Sequence, residues 1–171
     1  LALDLVLMAV APRLRAERGE AACRTLVATV GLPESVLDDD GAWISAAAAC
    51  RALGALGTAL GERAIAERGE WATHPESLST YVRMLRVASS LPDAYQFLCA
   101  HAGESTRLGR FELQREGRNR ARISYLPRKD SDSEQSERCL CELRQGELSA
   151  LPRLWGRADA SIEETSCLSR G

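Results

Sequence analysis

Apolar positions recur at helical intervals through the first hundred residues and then switch to strict alternation, and that change of period organises the chain. Leu3, Val6 and Val10, then Leu26, Val27 and Val30, predict two helices or one bent helix, interrupted at Pro12 and Gly19. A helix this apolar needs a partner, and a second copy of the chain across a homodimer supplies one. Residues 1–35 are therefore read as an N-terminal helical dimerisation segment and residues 36–171 as a separate domain. GLPESVLDDDGAW is a turn-rich connection with an acidic, solvated tip at Asp38 to Asp40. From Ser45 as N-cap, Leu53, Leu56 and Leu60 mark one face of a helix predicted to run to Gly69. Gly54, Gly57 and Gly61 weaken that helix, so either close packing by a neighbouring helix, the favoured reading, or room for a ligand beside the backbone is expected there.

Thr73, Pro75 and Glu76 have the grammar of a helix start, followed by Leu78, Tyr81, Leu85 and Ala88 at helical spacing. Ser90-Leu91-Pro92-Asp93 starts the next helix, expected to stop at Gly103. Beyond Arg110 the period becomes two. Phe111 and Leu113, a turn at EGRN, then Ala121, Ile123 and Tyr125 predict a β-hairpin with one apolar face, which the upstream helices would cover. RKDSDSEQSE reads as an exposed loop. A helix bent by Pro152 and a final strand through Ile162 complete the expectation: an α+β domain with helices packed on one face of a small antiparallel sheet.

Composition narrows the class. The chain has 171 residues, 45% hydrophobic and 27% charged, with a net charge of −2. It is long enough for its own core. No global basic field invites nucleic acid or anionic lipid, so no nucleic acid is expected to bind through this domain. The opening LALDLVLMAVAP is apolar but short and carries Asp4, so it reads as neither a leader nor a membrane span but as a helix cut from a longer chain. Six cysteines without framework spacing read as cytosolic thiols, and the expected location is cytoplasmic. Cys23, Cys50 and Cys99 sit among apolar neighbours as small hydrophobes.

Catalytic signals are missing: there is no nucleophile motif, phosphate loop or dinucleotide fingerprint, and two histidines leave little acid–base chemistry. The expectation is no enzyme. His74 lies at a helix start. His101 shares a helix with Tyr95 and Phe97 and stands where an axial haem ligand would suit, although a helix-terminal histidine bonded to the backbone is the simpler reading.

One constellation rises above this background. Cys139 and Cys141 open a helix-like segment, and Glu163, Glu164 and Cys167 close it. Cys141, Glu164 and Cys167 are chemically acceptable zinc ligands, and a site of this kind would be structural, pinning helix to sheet. Cys141, twenty-two residues, Glu164, two residues, Cys167, then Ser169-Arg170-Gly171, with Gly-Glu-Leu and Leu-Trp-Gly segments between, resembles the C-terminal signature of 4-vinyl-reductase-type ligand-binding domains. These are sensor modules of aromatic-responsive bacterial transcription activators, related in fold to haem-nitric-oxide-binding domains and TRAPP subunits. Upstream the likeness covers Leu91 to Tyr125 loosely. The resemblance implies a fourth cysteine ligand beyond Gly171, hence a C-terminally truncated sensor domain.

It further implies a small apolar or aromatic ligand held on the middle helices, where Trp71, Tyr81, Met84, Tyr95, Phe97 and His101 are the available lining residues. The expected function is then a dimeric regulatory sensor controlling an output domain in signal transduction or transcription regulation. A non-sensing assembly module of the same fold, or a haem-based gas sensor, is the alternative. Haem is disfavoured, because the Tyr-x-Ser-x-Arg motif of the haem-binding relatives is absent. Reduction of a tetrapyrrole vinyl group, which the class name suggests, finds no hydride-donor site here.

Overall fold

The computed structural model of the chain describes residues 2–3, 5–39, 42–61, 64, 67, 80–105, 109–127 and 134–166; within these, the side chains of 2–10, 46, 80–81, 105, 127, 134–140 and 142 are not described. Among the described residues there are seven α-helices and two two-stranded antiparallel sheets, an α+β arrangement as expected. No helix among them is long and apolar enough to cross a membrane.

Helix α1 (Leu5–Arg18) and helix α2 (Glu20–Thr29) meet at Gly19, whose φ is 82°. Pro12 does not break α1 as its chemistry suggests; it lies inside the helix, forgoing one backbone hydrogen bond. Helix α2 ends in a Schellman closure: Leu32 N–H donates to the Val27 carbonyl at 3.0 Å and Gly31 N–H to that of Ala28 at 3.1 Å. A short 3-10 turn (Glu34–Leu37) leads to strand β2 (Trp43–Ile44), paired with strand β1 (Ala2–Leu3). Helix α3 (Ala46–Leu60) is capped by Ser45, whose Oγ accepts from Ala48 N at 3.1 Å.

Helix α3 stops well before the expected Gly69. Gly61 takes φ 94°, a conformation that side chains resist, and its N–H closes onto the Gly57 carbonyl at 2.7 Å. At Gly54 and Gly61 the expected tight packing is absent, since a Cβ added at either would meet nothing within 4 Å. Gly61 serves as a helix stop, and Gly54 faces outward.

Helix α4 (Thr80–Arg86) precedes helix α5 (Leu91–Ala100), which Ser90 caps by accepting from Asp93 N at 3.3 Å while donating to Asp93 Oδ2 at 2.6 Å. The chain turns at His101 rather than Gly103, and Gly103 falls inside the short helix α6 (Ala102–Ser105). The hairpin is as the alternation predicts: strand β3 (Gly109–Arg115) pairs with strand β4 (Ala121–Pro127), Phe111 opposite Tyr125 and Leu113 opposite Ile123. The Phe111 and Tyr125 rings sit 5.1 Å apart, and α5 and α6 pack against β3.

Helix α7 (Glu134–Ala150) begins inside the stretch expected to be a loop, so Ser136 and Glu137 are helical despite their polarity. Five more residues, Leu151–Trp155, continue as a 3-10 turn closed by Gly156. The final strand through Ile162 is not formed: residues 157–164 are irregular. Ile162 is 40% exposed and its neighbours are polar, so the stretch has no apolar face to bury. Instead it is tied back to α7, with Ala160 N–H donating to the Ser149 carbonyl and Ser149 Oγ–H to that of Ala160, both at 2.8 Å.

Two apolar clusters result. The larger joins Leu14, Cys23, Leu26, Val27 and Val30 of the first two helices to Ile44, the inner face of α3, and Leu143 of α7. The N-terminal helices thus find an apolar partner within the chain. The smaller gathers Leu85, Ala94 and Leu151, with Leu91, Tyr95, Phe97, Leu98, Leu154 and Trp155 against them.

Candidate functional site

The expected ligand-lining residues fall only in part among the described residues. Trp71 lies outside the described residues, and Tyr81 is placed in α4 without a described side chain. Met84 is 47% exposed. Tyr95 and Phe97 are half-buried against the smaller cluster. Tyr95 Oη–H donates to the Leu148 carbonyl of α7 at 2.7 Å, which makes it a fastener between two helices. Phe97 stacks on His101 at 4.2 Å between ring centroids, and His101 Nδ1 lies 2.9 Å from Glu104 Oε1.

Burial, aided by the Asp159 charge, pushes the Tyr95 hydroxyl from its ordinary 10 up to about 12. A raised pKa means that the fold favours the neutral phenol, so this contribution is complete below pH 10 and fades as pH rises towards 12. Urea melts over that range should show the wild type losing stability relative to Tyr95→Phe. A gap independent of pH would remove Tyr95 as the fastener.

Two of the three expected metal ligands fall among the described residues. Cys141 is half-buried within α7 rather than at its start, Glu164 is exposed in the irregular stretch after Gly156, and Cys167 lies outside the described residues. Among the described residues, no group of three or more His, Cys, Asp or Glu could hold a metal ion. Cys23, Cys50, Cys99 and Cys141 are not in disulfides. Cys23 Sγ–H donates to the Ala11 carbonyl at 3.3 Å, and burial raises the Cys99 thiol to about 11; both behave as small hydrophobes.

A feature that the apolar periodicity did not flag lies among the first three helices. An open groove of about 480 Å³ runs between the first three helices. Leu14 and Leu26 form its floor, Ala22, Ala55 and Ala59 its walls, and Arg18, Thr25 and Thr29 its rim. Small residues make it: Ala22, Thr25 and Thr29 on α2 and Ala55 and Ala59 on α3 recur at helical spacing and leave the helix faces shallow. Both threonine hydroxyls donate within α2, Thr25 to the Ala21 carbonyl and Thr29 to that of Thr25. Arg13 pairs with Glu17 and Glu67, and Arg15 with Glu20. Arg18, by contrast, reaches the Ala59 carbonyl at 3.4 Å, and among the described residues no carboxylate pairs with it. A string of alanines and threonines, beside the α3 glycines that allow room for a ligand, is the sequence signal for this groove.

The groove and both clusters lie largely within one region of family likeness. Residues 21–162 match the model of the arabinose-binding domain of AraC transcription regulator, N-terminal. The match spans most of the chain, and the chain belongs to this family. That makes it a small-molecule-binding regulatory sensor domain of the kind that controls transcription, in a family of sensors rather than enzymes. The 4-vinyl-reductase class that Cys141, Glu164 and Cys167 resemble is not the family that matches; the sensor role is what the two have in common. No curated protein and no solved structure matches the chain.

Proposed function

We propose that the chain senses a small, mainly apolar or aromatic molecule with one polar or anionic end, bound in the groove between α1, α2 and α3, and reports it to the output of a transcription regulator. The observation that carries this reading is the lining of the groove: a volume of about 480 Å³, apolar walls, and a guanidinium at the rim that, among the described residues, no carboxylate neutralises. Pockets of this size and character suit small ligands. The family description names arabinose. A pentose must pair several hydroxyls, and each one desolvated without a partner costs about 1–3 kcal/mol. The groove offers Arg18 and two threonines whose protons are already engaged, which favours the less polar ligand. Homodimerisation through the N-terminal helices belongs to the same proposal and is read by light scattering across a range of concentrations.

A second reading, a non-sensing assembly module, draws support from the packing of Tyr95 and Phe97, which leaves the middle helices fastened rather than hollow. Thermal-shift titration separates the two. The panel should contain arabinose, phenols, aromatic acids and short aliphatic acids. One class at about a hundred times its dissociation constant should stabilise the protein by about 2.7 kcal/mol, or roughly 5–10 °C in a chain of this size. Ala59→Trp, which fills the groove from an exposed position, should abolish the shift, while Phe97→Leu should retain it. The opposite pattern moves the site to α5, and a flat response to the whole panel leaves the assembly module standing.

A further inference from the structure

The net charge of −2 conceals a strong local imbalance. Between Gly109 and Pro127 the hairpin carries five arginines (110, 115, 118, 120 and 122) against Glu112 and Glu116, a surplus of three positive charges, so the rest of the chain carries −5. Every one of these arginines is exposed; Arg110 and Arg120 keep about three-quarters of their side-chain surface in solvent. The surplus gathers at the tip. Glu116 is shared by Arg120 at 3.3 Å and Arg122 at 2.8 Å, while Arg115 and Arg118 have no carboxylate partner among the described residues. Backbone pairing holds the array in register, Gln114 opposite Arg122 and Arg115 opposite Ala121, and the Glu116 N–H to Arg120 carbonyl bond at 3.0 Å closes the turn. The apolar side is occupied by α5 and α6 against β3 and by Arg144 of α7 over the Phe111 ring, so the hairpin is anchored at its base and basic at its tip.

We propose that this hairpin tip contacts the phosphate backbone of duplex DNA. The inference rests on the reading of the chain as part of a transcription regulator, which brings DNA close to it. Guanidinium forks match phosphate oxygens bidentately, as they do carboxylates. Two further points favour phosphate over an acidic protein surface. A two-stranded ribbon is one of the elements that the major groove of B-DNA admits. A tip with a surplus of three charges and no exposed large apolar residue suits a non-sequence-specific contact that positions rather than reads.

The test is fluorescence anisotropy of the 171-residue protein with a random-sequence duplex across salt concentrations. About three neutralised phosphates give a slope of about −2.7 in log affinity against log salt, or about a 40-fold loss between roughly 50 and 200 mM. The exposed pair Arg115→Gln with Arg118→Gln should reduce that loss to about 3- to 4-fold. Glu116→Gln, which releases Arg120 and Arg122 from their shared carboxylate, should bind more tightly than wild type. No binding at about 50 mM salt, or binding indifferent to the arginine pair, overturns the proposal. So does salt-sensitive self-association that the same pair abolishes without duplex binding, because the hairpin would then face an acidic protein surface. The readout uses no small-molecule ligand, so failure here leaves the sensor reading intact, and failure of the ligand panel leaves this test unaffected.

Discussion

Leu53→Ala should lower the stability of the protein by about 3–5 kcal/mol, the range for a fully enclosed leucine whose site cannot collapse. Leu53 has no exposed surface and sits in the larger cluster with Leu14, Leu26, Val27, Leu56 and Leu143, drawn from four different helices. Three of those helices also enclose the groove, so their freedom to close over a void is limited. For a chain of this length each kcal/mol moves the melting temperature by roughly 2–4 °C, giving a fall on the order of 10 °C by circular dichroism. A fall of only a degree or two would mean that the cluster repacks freely, and the rigid groove walls would go with it.

Gly109→Ala should be the most damaging small substitution in the hairpin. An added Cβ would stand 2.5 Å from the Leu126 carbonyl and 2.5 Å from the Tyr125 ring. The ring can swing; the carbonyl belongs to the strand paired with β3 and cannot retreat without opening the register at Arg110 and Leu126. Overpacking of this kind costs about 1–3 kcal/mol. Gly117→Ala, at the tip of the same hairpin where a Cβ meets nothing within 4 Å, is the control and should be neutral. Equal melting temperatures for the two variants would show that the first strand end is not held as described.

The contrast between those glycines marks what could be read from the residues alone. The hairpin was legible because strict alternation puts Phe111, Leu113, Ile123 and Tyr125 on one face only in an extended chain, and because EGRN punctuates it. Ser45 was legible as a cap, and the Ser90 stretch as a helix start, because a hydroxyl has a definite task there. The end of α3 was not, since Gly54, Gly57, Gly61 and Gly69 look alike in sequence, and it is the positive φ of Gly61 that ends the helix. The start of α7 was hidden by polarity, which solvates a helix as readily as a loop. The stretch around Ile162 was over-read, because one apolar residue in a polar run does not make a strand face.

The candidate site was less legible for a related reason. Large aromatic residues attract attention; Tyr95 and Phe97 pack half-buried against the smaller cluster and Met84 is 47% exposed, while Trp71 and the Tyr81 side chain lie outside the described residues. The groove is made from what α2 and α3 lack, and alanine is silent in a periodicity argument. The basic tip was masked by arithmetic over the whole chain, in which the acids elsewhere outweigh its five arginines.

Helix α7 has a consequence for how the molecule holds together. Its 17 residues span about 25 Å. Along that length Leu143 closes the larger cluster, the Leu148 carbonyl receives Tyr95, and the chain passes directly into Leu151 at the centre of the smaller cluster. Withdrawing this rod takes Leu143 from the larger cluster and the carbonyl partner of Tyr95 from beside the smaller. A single cooperative melting transition is therefore expected, read as coincident curves by circular dichroism and tryptophan fluorescence.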